Sequence, residues 1–289
     1  MVNLKGLKFA KMHGIGNDFP IIDESQGEQI PEADKAEACR QLCHRNFGVG
    51  GDGVLFVVPS EVADIGYRMF NPDGSEAEMC GNGIRCVGKY VYDFGLTKKE
   101  EITIETLAGI KNLKLNIDKG KVASVKVDMG EPILEPNKIP IICDNDKNKV
   151  ELNLFDDIFI FHCVSMGNPH AITLINDIEK FDVVKYGKIV ESDKHFPNKT
   201  NVEFVQVLDK NTIKMRVYER GSGETLACGS GACASVVSCV INGLTERNVR
   251  VNLLGGYLNI EYNENNNHVY MTGPAVLVFN GEINLNQFK

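Results

Sequence analysis

The strongest constraint on this chain is an order of residues that recurs about half a chain length later. Cys80 is followed by Gly81-Asn82-Gly83, and Cys228, 148 residues on, by Gly229-Ser230-Gly231. The same offset pairs Val54 with Val202, Phe56 with Phe204, Phe70 with Tyr218 and Glu76 with Glu224. An offset only a few residues different relates Gly16-Asn17 to Gly167-Asn168, and Gly109 to Gly256. Shared order over most of both halves predicts an internal duplication that folds as two similar units. A duplicated fold has a natural pseudo-twofold axis, and a ligand lying between the units would meet one cysteine from each side.

Each cysteine also has a chemically distinctive setting. Ile84–Val91 reads as a helix, which puts Cys80 at its N-terminus, where unpaired amide N–H groups and the helix dipole favour an anion. Such a position lowers a thiol pKa and makes thiolate available near neutral pH. Gly223–Gly231 repeats the device around Cys228.

Strands are expected at Phe9–His13, Phe19–Asp23, Val54–Val58, Ile65–Asn71, Ile102–Glu105, Lys111–Ile117 and Val122–Met129, separated by glycine turns. Pro31 opens a helical segment, Glu32–Arg45, with Ala33, Ala36, Cys39, Leu42 and Cys43 on one face. Pro132, Pro136, Pro140 and the polar run Asp144–Lys149 break any pattern, which places a linker in Glu131–Lys149.

Composition excludes several classes. With 43% apolar and 24% charged residues the chain is of ordinary globular type. Its net charge is −8 and its basic residues do not cluster, which argues against a nucleic-acid or anionic-membrane partner. No apolar run reaches the roughly 18 residues that span a bilayer, and the start MVNLKGLKFAKMHG carries no apolar leader segment. Nine cysteines without a regular framework point to reduced thiols and a cytoplasmic setting. Zinc is disfavoured: Cys39 and Cys43 are suitably spaced, but no second pair completes a set.

Two thiols facing each other across a ligand suit proton transfer on opposite faces of one carbon. One thiolate takes a proton, the other thiol returns one, and the centre inverts. A carbon acid that weak needs positioned donors and exclusion of water. Glycines beside each cysteine let backbone N–H groups approach a carboxylate at the helix N-termini. Asn17, Asn71, Asn82, Asn168 and Asn201 sit at strand ends or glycine turns; they read either as turn formers or as neutral contacts for a zwitterion. Glu219-Arg220 could receive an ammonium and a carboxylate, or be a surface pair, and His170 is either a proton partner for a thiol or a structural histidine. The Gly48–Gly53 loop lacks the Gly-Lys-Ser/Thr ending of a phosphate cradle.

The segments FAKMHGIGNDF, RNFGVGGDG, FNPDGSEAEMCGNGIRC, MGNPHA, NVEFVQV and YERGSGETLACGSGACA together resemble the diaminopimelate epimerase family, in family order from Phe9 to Ala234. The resemblance implies cofactor-independent interconversion of LL- and meso-2,6-diaminopimelate, in lysine and peptidoglycan-precursor synthesis, with no pyridoxal phosphate and no metal. It implies catalytic roles for Cys80 and Cys228, aided by His170 and Glu219. Asn17, Asn71, Asn168, Asn201, Glu219 and Arg220 would contact substrate, largely at its distal end, while Gly81, Asn82, Gly229 and Ser230 hold the α-carboxylate. Some members carry Gln where Gly53 stands, so no contact from that side chain carries over. The implied fold is α/β (α+β), two pseudo-twofold-related domains, each a curved mixed sheet around a central helix. The domains would be residues 1–127 with 274–289, carrying Cys80, and residues 128–273, carrying Cys228, with the active site in the cleft between them. The implied partners are a small amino-acid substrate and a second copy of the chain in a homodimer. Rival readings are a racemase of the same fold for another amino acid, and a noncatalytic amino-acid-binding protein, for which two opposed thiols have no use.

Overall fold

The structure is a computed structural model that describes residues 2–143 and 148–283. Residues 144–147 of the expected linker and 284–289 of the C-terminal segment assigned to the first domain lie outside the described residues.

In chain order the first elements are β1 (Leu7–Gly14), β2 (Asn17–Asp23), α1 (Lys35–Cys43), β3 (Val54–Val58), β4 (Ile65–Phe70), the short β5 (Glu76–Ala77), α2 (Gly81–Asp93), β6 (Glu101–Thr106), β7 (Gly109–Asp118) and β8 (Lys121–Asp128). They continue as β9 (Lys149–Leu154), β10 (Asp157–Ser165), β11 (Pro169–Leu174), α3 (Val183–Glu191), β12 (Asn201–Asp209), β13 (Thr212–Glu219) and β14 (Gly223–Thr225). Last come α4 (Gly229–Ile241), β15 (Asn248–Leu253), β16 (Gly256–Tyr262), β17 (Val269–Gly273) and β18 (Val276–Ile283). Among the described residues, 2–127 and 273–283 form one compact unit and 128–272 the other.

The duplication is legible in the pairing of the strands. In the first unit β18 lies antiparallel to β1 and β1 to β2, β2 runs parallel to β3, and β3 is antiparallel to β4. Next β4 runs parallel to β6, which is antiparallel to β7, and β7 to β8. In the second unit the strands β9, β10, β11, β12, β13, β15, β16 and β17 repeat that series of senses step for step. The registers repeat too: Val54 faces Phe70 and Val202 faces Tyr218, while Phe70 faces Glu76 and Tyr218 faces Glu224. β18 therefore occupies in the first unit the place that β9 occupies in the second.

Within each unit the sheet wraps a central helix. α2 meets β1, β2, β3, β4 and β7, and α4 meets β10, β11, β12, β13, β15 and β16. A second helix covers the outer face of each sheet. In β3, Val54 and Phe56 join Ala38, Cys39 and Leu42 of α1 in one apolar cluster. In β12, Val202 and Phe204 join Val183 and Val190 of α3 in another. Alternation along a strand then turns the intervening residues, Leu55 and Glu203, towards the central helices. A Cβ added to Gly83 of α2 would lie 3.2 Å from Leu55 Cδ2, and one added to Gly231 of α4 would lie 2.6 Å from Glu203 Oε1. Only glycine lets the strands approach the helix starts this closely.

Two expectations are corrected. The buried face of α1 comprises Lys35, Ala38, Cys39, Leu42 and Cys43; Ala33 is exposed and Ala36 half-buried. Lys35 is held there by Glu24 Oε2 at 3.0 Å and by the Ile30 carbonyl at 2.6 Å, so a charge took a core position because its partners are buried with it. The Glu131–Lys149 segment is not a linker between the units but part of the second. Its prolines interrupt the pattern, yet Ile139 and Ile141 between and after them are buried in the second unit's core and Ile133 bridges to Ser165.

Candidate active site

Each cysteine caps a helix. Cys80 precedes α2 with extended backbone (φ −127°, ψ 120°), and its sulfur accepts from the Gly83 N–H at 3.4 Å. Cys228 precedes α4 in the same conformation (φ −124°, ψ 112°). An extended residue before the first turn aims its side chain back across the open N–H groups of that turn.

Around Cys80 the polar groups form a connected set. The Cys80 sulfur lies 3.6 Å from Asn17 Oδ1, which also accepts from Asn82 Nδ2 at 3.2 Å. Asn17 Nδ2 donates to Asp52 Oδ2 at 2.7 Å, and Arg45 joins Asp52 to Asp18 with contacts of 2.6 Å and 2.8 Å. Burial raises the Asp18 carboxyl, but hydrogen bonds from Arg45 and Lys11 outweigh it and leave the group below its ordinary value. The Gly48–Gly53 loop thus serves to bring Asp52 behind Asn17. Asn82 Oδ1 accepts from Arg85 at 3.0 Å, and this fully buried guanidinium also donates to the Gly81 and Pro274 carbonyls. The Asn82 side chain is accordingly committed inward, to Asn17 and Arg85. Asn71 stands apart from this set: its side chain donates to Ser75 Oγ at 3.1 Å within its own turn.

Around Cys228 the chemistry differs. Its sulfur lies 3.6 Å from Ser230 Oγ, and the residue is only 5% exposed. Glu219, at the end of β13, accepts from Thr225 Oγ1. His170 is fully buried between Glu203 Oε1, 2.6 Å from Nδ1, and Asn168 Oδ1, 3.0 Å from Nε2. Asn201 is also buried, donating to the Pro169 carbonyl at 2.9 Å and accepting from the Arg220 N–H at 3.0 Å. The Arg220 side chain itself is exposed and reaches the Asn198 carbonyl at 3.3 Å.

The helix-start argument fails at Cys228. Burial pushes the Cys228 thiol well above its ordinary value, and the charges of Glu219 and Glu203 push the same way. Contacts with Ser230 and the Gly231 N–H act in the opposite sense without reversing the outcome. Burial also raises the Glu219 carboxyl, against the hydrogen bonds from Thr225 and Cys228. Desolvation of a charged form outweighs the dipole of a single helix end.

Four residues escaped the sequence reading. Arg68 binds Glu76 at 2.6 Å, and Arg216, at the 148-residue offset, binds Glu224 at 2.7 Å, so each cysteine loop is braced by the same ion pair. Glu203 and Arg85 are the other two. The signal for Glu203 was a lone acid in the apolar run Val202–Val205, where the first half has Leu55. That for Arg85 was a charge inside a buried helix where the second half has Cys233.

Solved structures of similar architecture include a hydroxyproline epimerase from Agrobacterium vitis, with a TM-score of 0.70 at 14% identity over 99% of this chain and 95% of that one. A phenazine biosynthesis protein from Bacillus anthracis has a TM-score of 0.69 at 19% identity, over 96% and 99%. At these identities the likeness defines the fold. Residues 9–135 and 162–278 match the diaminopimelate epimerase family profile. The diaminopimelate epimerase of Methanococcus maripaludis is 54% identical over 96% of this chain and all of its own length. That of Acetivibrio thermocellus is 53% identical over 97% and all of its length. The chain belongs to the diaminopimelate epimerase family, whose named members are amino-acid epimerases, a class of isomerase.

Proposed function

We propose that this chain interconverts LL- and meso-2,6-diaminopimelate, in lysine and peptidoglycan-precursor synthesis, using its own thiols and no cofactor. The reading is carried by one observation: two cysteines in the same backbone conformation cap two helices that hold the same place in two topologically identical units. The domains are residues 1–127 with 274–289, and 128–273, with the substrate in the cleft between them. Cys80 serves one face of the α-carbon and Cys228 the other. As a thiolate, one takes the α-proton; as a thiol, the other delivers its proton to the opposite face, and the roles exchange in the reverse direction. Backbone N–H groups of Gly81, Asn82, Gly229 and Ser230 hold the α-carboxylate, countering the charge that develops on it. His170 and Glu219 assist at Cys228. Asn17, Asn71, Asn168, Asn201, Glu219 and Arg220 receive the polar groups of substrate, chiefly the distal amino-acid end.

Copies of the chain pair as a homodimer in the cytoplasm. Val276–Phe279 of β18 exposes four consecutive apolar side chains, a surface suited to a second copy. Nine cysteines scattered without a regular framework suit a reducing compartment. Among the described residues no helix is long and apolar enough to cross a membrane.

The test is incubation of reduced enzyme with LL-diaminopimelate in D2O, alongside a panel of other amino acids. The expected result is α-deuterated meso product without added cofactor, lost by orders of magnitude in Cys80→Ser and in Cys228→Ser. Turnover of another amino acid in preference would reassign the substrate. Folded enzyme giving neither exchange nor product would leave an amino-acid-binding protein.

A further inference from the structure

The two half-sites are matched in backbone and opposed in buried charge. At the 148-residue offset Leu55 corresponds to Glu203 and Arg85 to Cys233. The start of α2 therefore lies over a buried guanidinium and an apolar side chain, and the start of α4 over a buried carboxylate. A duplication supplies matching positions, and nothing in the packing of a sheet on a helix calls for an acid at one of them. An ionised group taken out of water is costly unless partners replace its hydration.

Glu203 has only half of that replacement. Its Oε1 lies 2.6 Å from His170 Nδ1, but Oε2 is buried with no hydrogen-bond partner among the described residues. The residue is fully buried, and its Oε1 lies so near the first turn of α4 that a Cβ on Gly231 would approach it to 2.6 Å, and Cys228 Sγ to 3.2 Å. Four titratable groups interact with it from four elements: His170 from β11, Glu219 from the end of β13, Cys228 at the cap of α4 and Cys163 from β10. A carboxylate in that position has two effects. It fixes the imidazole by accepting from Nδ1–H, which leaves Nε2 turned to Asn168. It also opposes a second negative charge on the neighbouring sulfur.

We propose that Glu203 is a positioning residue of the second half-site: it orients His170 through Nδ1, and its charge sets Cys228 to enter the reaction as the proton donor. This rests on the two-base reading for its catalytic meaning, but its electrostatic content holds in the empty protein. The half-site with the buried acid rests protonated, so the direction that uses Cys228 as acid starts from the resting state, and the reverse direction starts from the state that turnover leaves, with Cys228 as thiolate.

The experiment is peptide-resolved alkylation of Cys228 with iodoacetamide as a function of pH, in a Cys80→Ser background, with and without Glu203→Gln. Glutamine keeps the shape and an oxygen acceptor for Nδ1–H while removing the charge. The midpoint for Cys228 should fall by about one pH unit or more, the size expected for loss of a close like charge. Cys143, which is half-buried, should not shift and serves as the internal control. In the enzyme with both cysteines, Glu203→Gln should lower kcat about tenfold or more and displace the alkaline limb of its pH profile, with little change in KM. An unmoved Cys228 midpoint overturns the proposal. Should the glutamine variant fail to fold, 15N shifts of His170 in the wild type decide: a proton on Nδ1 supports the arrangement, and a bare Nδ1 overturns it. Alkylation uses no substrate, so its outcome is independent of whether diaminopimelate is turned over.

Discussion

Asn82 Nδ2 donates to Asn17 Oδ1 at 3.2 Å, tying the first turn of α2 to the first residue of β2. The same Asn17 oxygen lies 3.6 Å from the Cys80 sulfur, and the other end of the Asn82 amide accepts from buried Arg85. One side chain thus braces the loop, the helix and a buried cation. Asn82→Ala removes one acceptor from buried Arg85 and one donor from Asn17, which should cost about 1–3 kcal/mol of stability, the range for lost buried hydrogen bonds. Urea unfolding measures it. An unchanged midpoint with an unchanged slope would show that Asn82 is no brace.

The wild-type Cys228 thiol should resist ionisation. Its value is raised first by burial and then by Glu219 and Glu203, so the neutral thiol persists above the ordinary thiol range of about 8.5. The sign for stability follows: the unfolded chain releases this proton as pH rises past that range while the folded chain keeps it. The contribution is complete below that range and declines as pH rises beyond it. Alkylation of Cys228 in substrate-free enzyme should therefore reach half its maximal rate at a higher pH than free cysteine. An equal or lower midpoint would contradict the burial argument.

Gly231 should tolerate no side chain. The Cβ of Gly231→Ala would press on Glu203 Oε1 at 2.6 Å and on Cys228 Sγ at 3.2 Å, and Glu203 is anchored to His170. Overpacking of this kind costs about 1–3 kcal/mol. Gly83→Ala meets Tyr67 Oη at 3.0 Å and Leu55 at 3.2 Å, so its nearest contact is the looser of the two, and it should lose less. Thermal unfolding of the two variants ranks them, and the reverse order would refute the prediction.

Much of this was legible because duplication acts on sequence and topology together. The 148-residue offset matched residues that proved to be register partners in corresponding strands, such as Val54 and Phe70 against Val202 and Tyr218. The capping cysteines were legible because glycine-rich turns before a helix have few alternatives. Glu203 was passed over because its neighbours Val202 and Phe204 carried the match, and the difference at the position between them was the informative one. The thiol expectation went astray at Cys228 for a related reason. Helix dipoles can be inferred from local sequence, whereas desolvation and carboxylates arriving from β12 and β13 are products of tertiary packing. Prolines misled in the same way at Glu131–Lys149, where buried isoleucines outweighed the broken pattern.

The exchange of β18 for β9 has a consequence for the birth of the molecule. The second unit draws its strands from one uninterrupted stretch, β9 to β17, and can close as soon as that stretch has left the ribosome. The first unit must wait with β1 uncovered on one edge until β18 has been synthesised, after the whole of its younger sibling. Closing so long a loop is slow compared with local pairing, and an uncovered strand edge invites foreign pairing. The half that carries Cys80 is thus made first and finished last, which marks β1 as the place where a nascent chain most needs a chaperone.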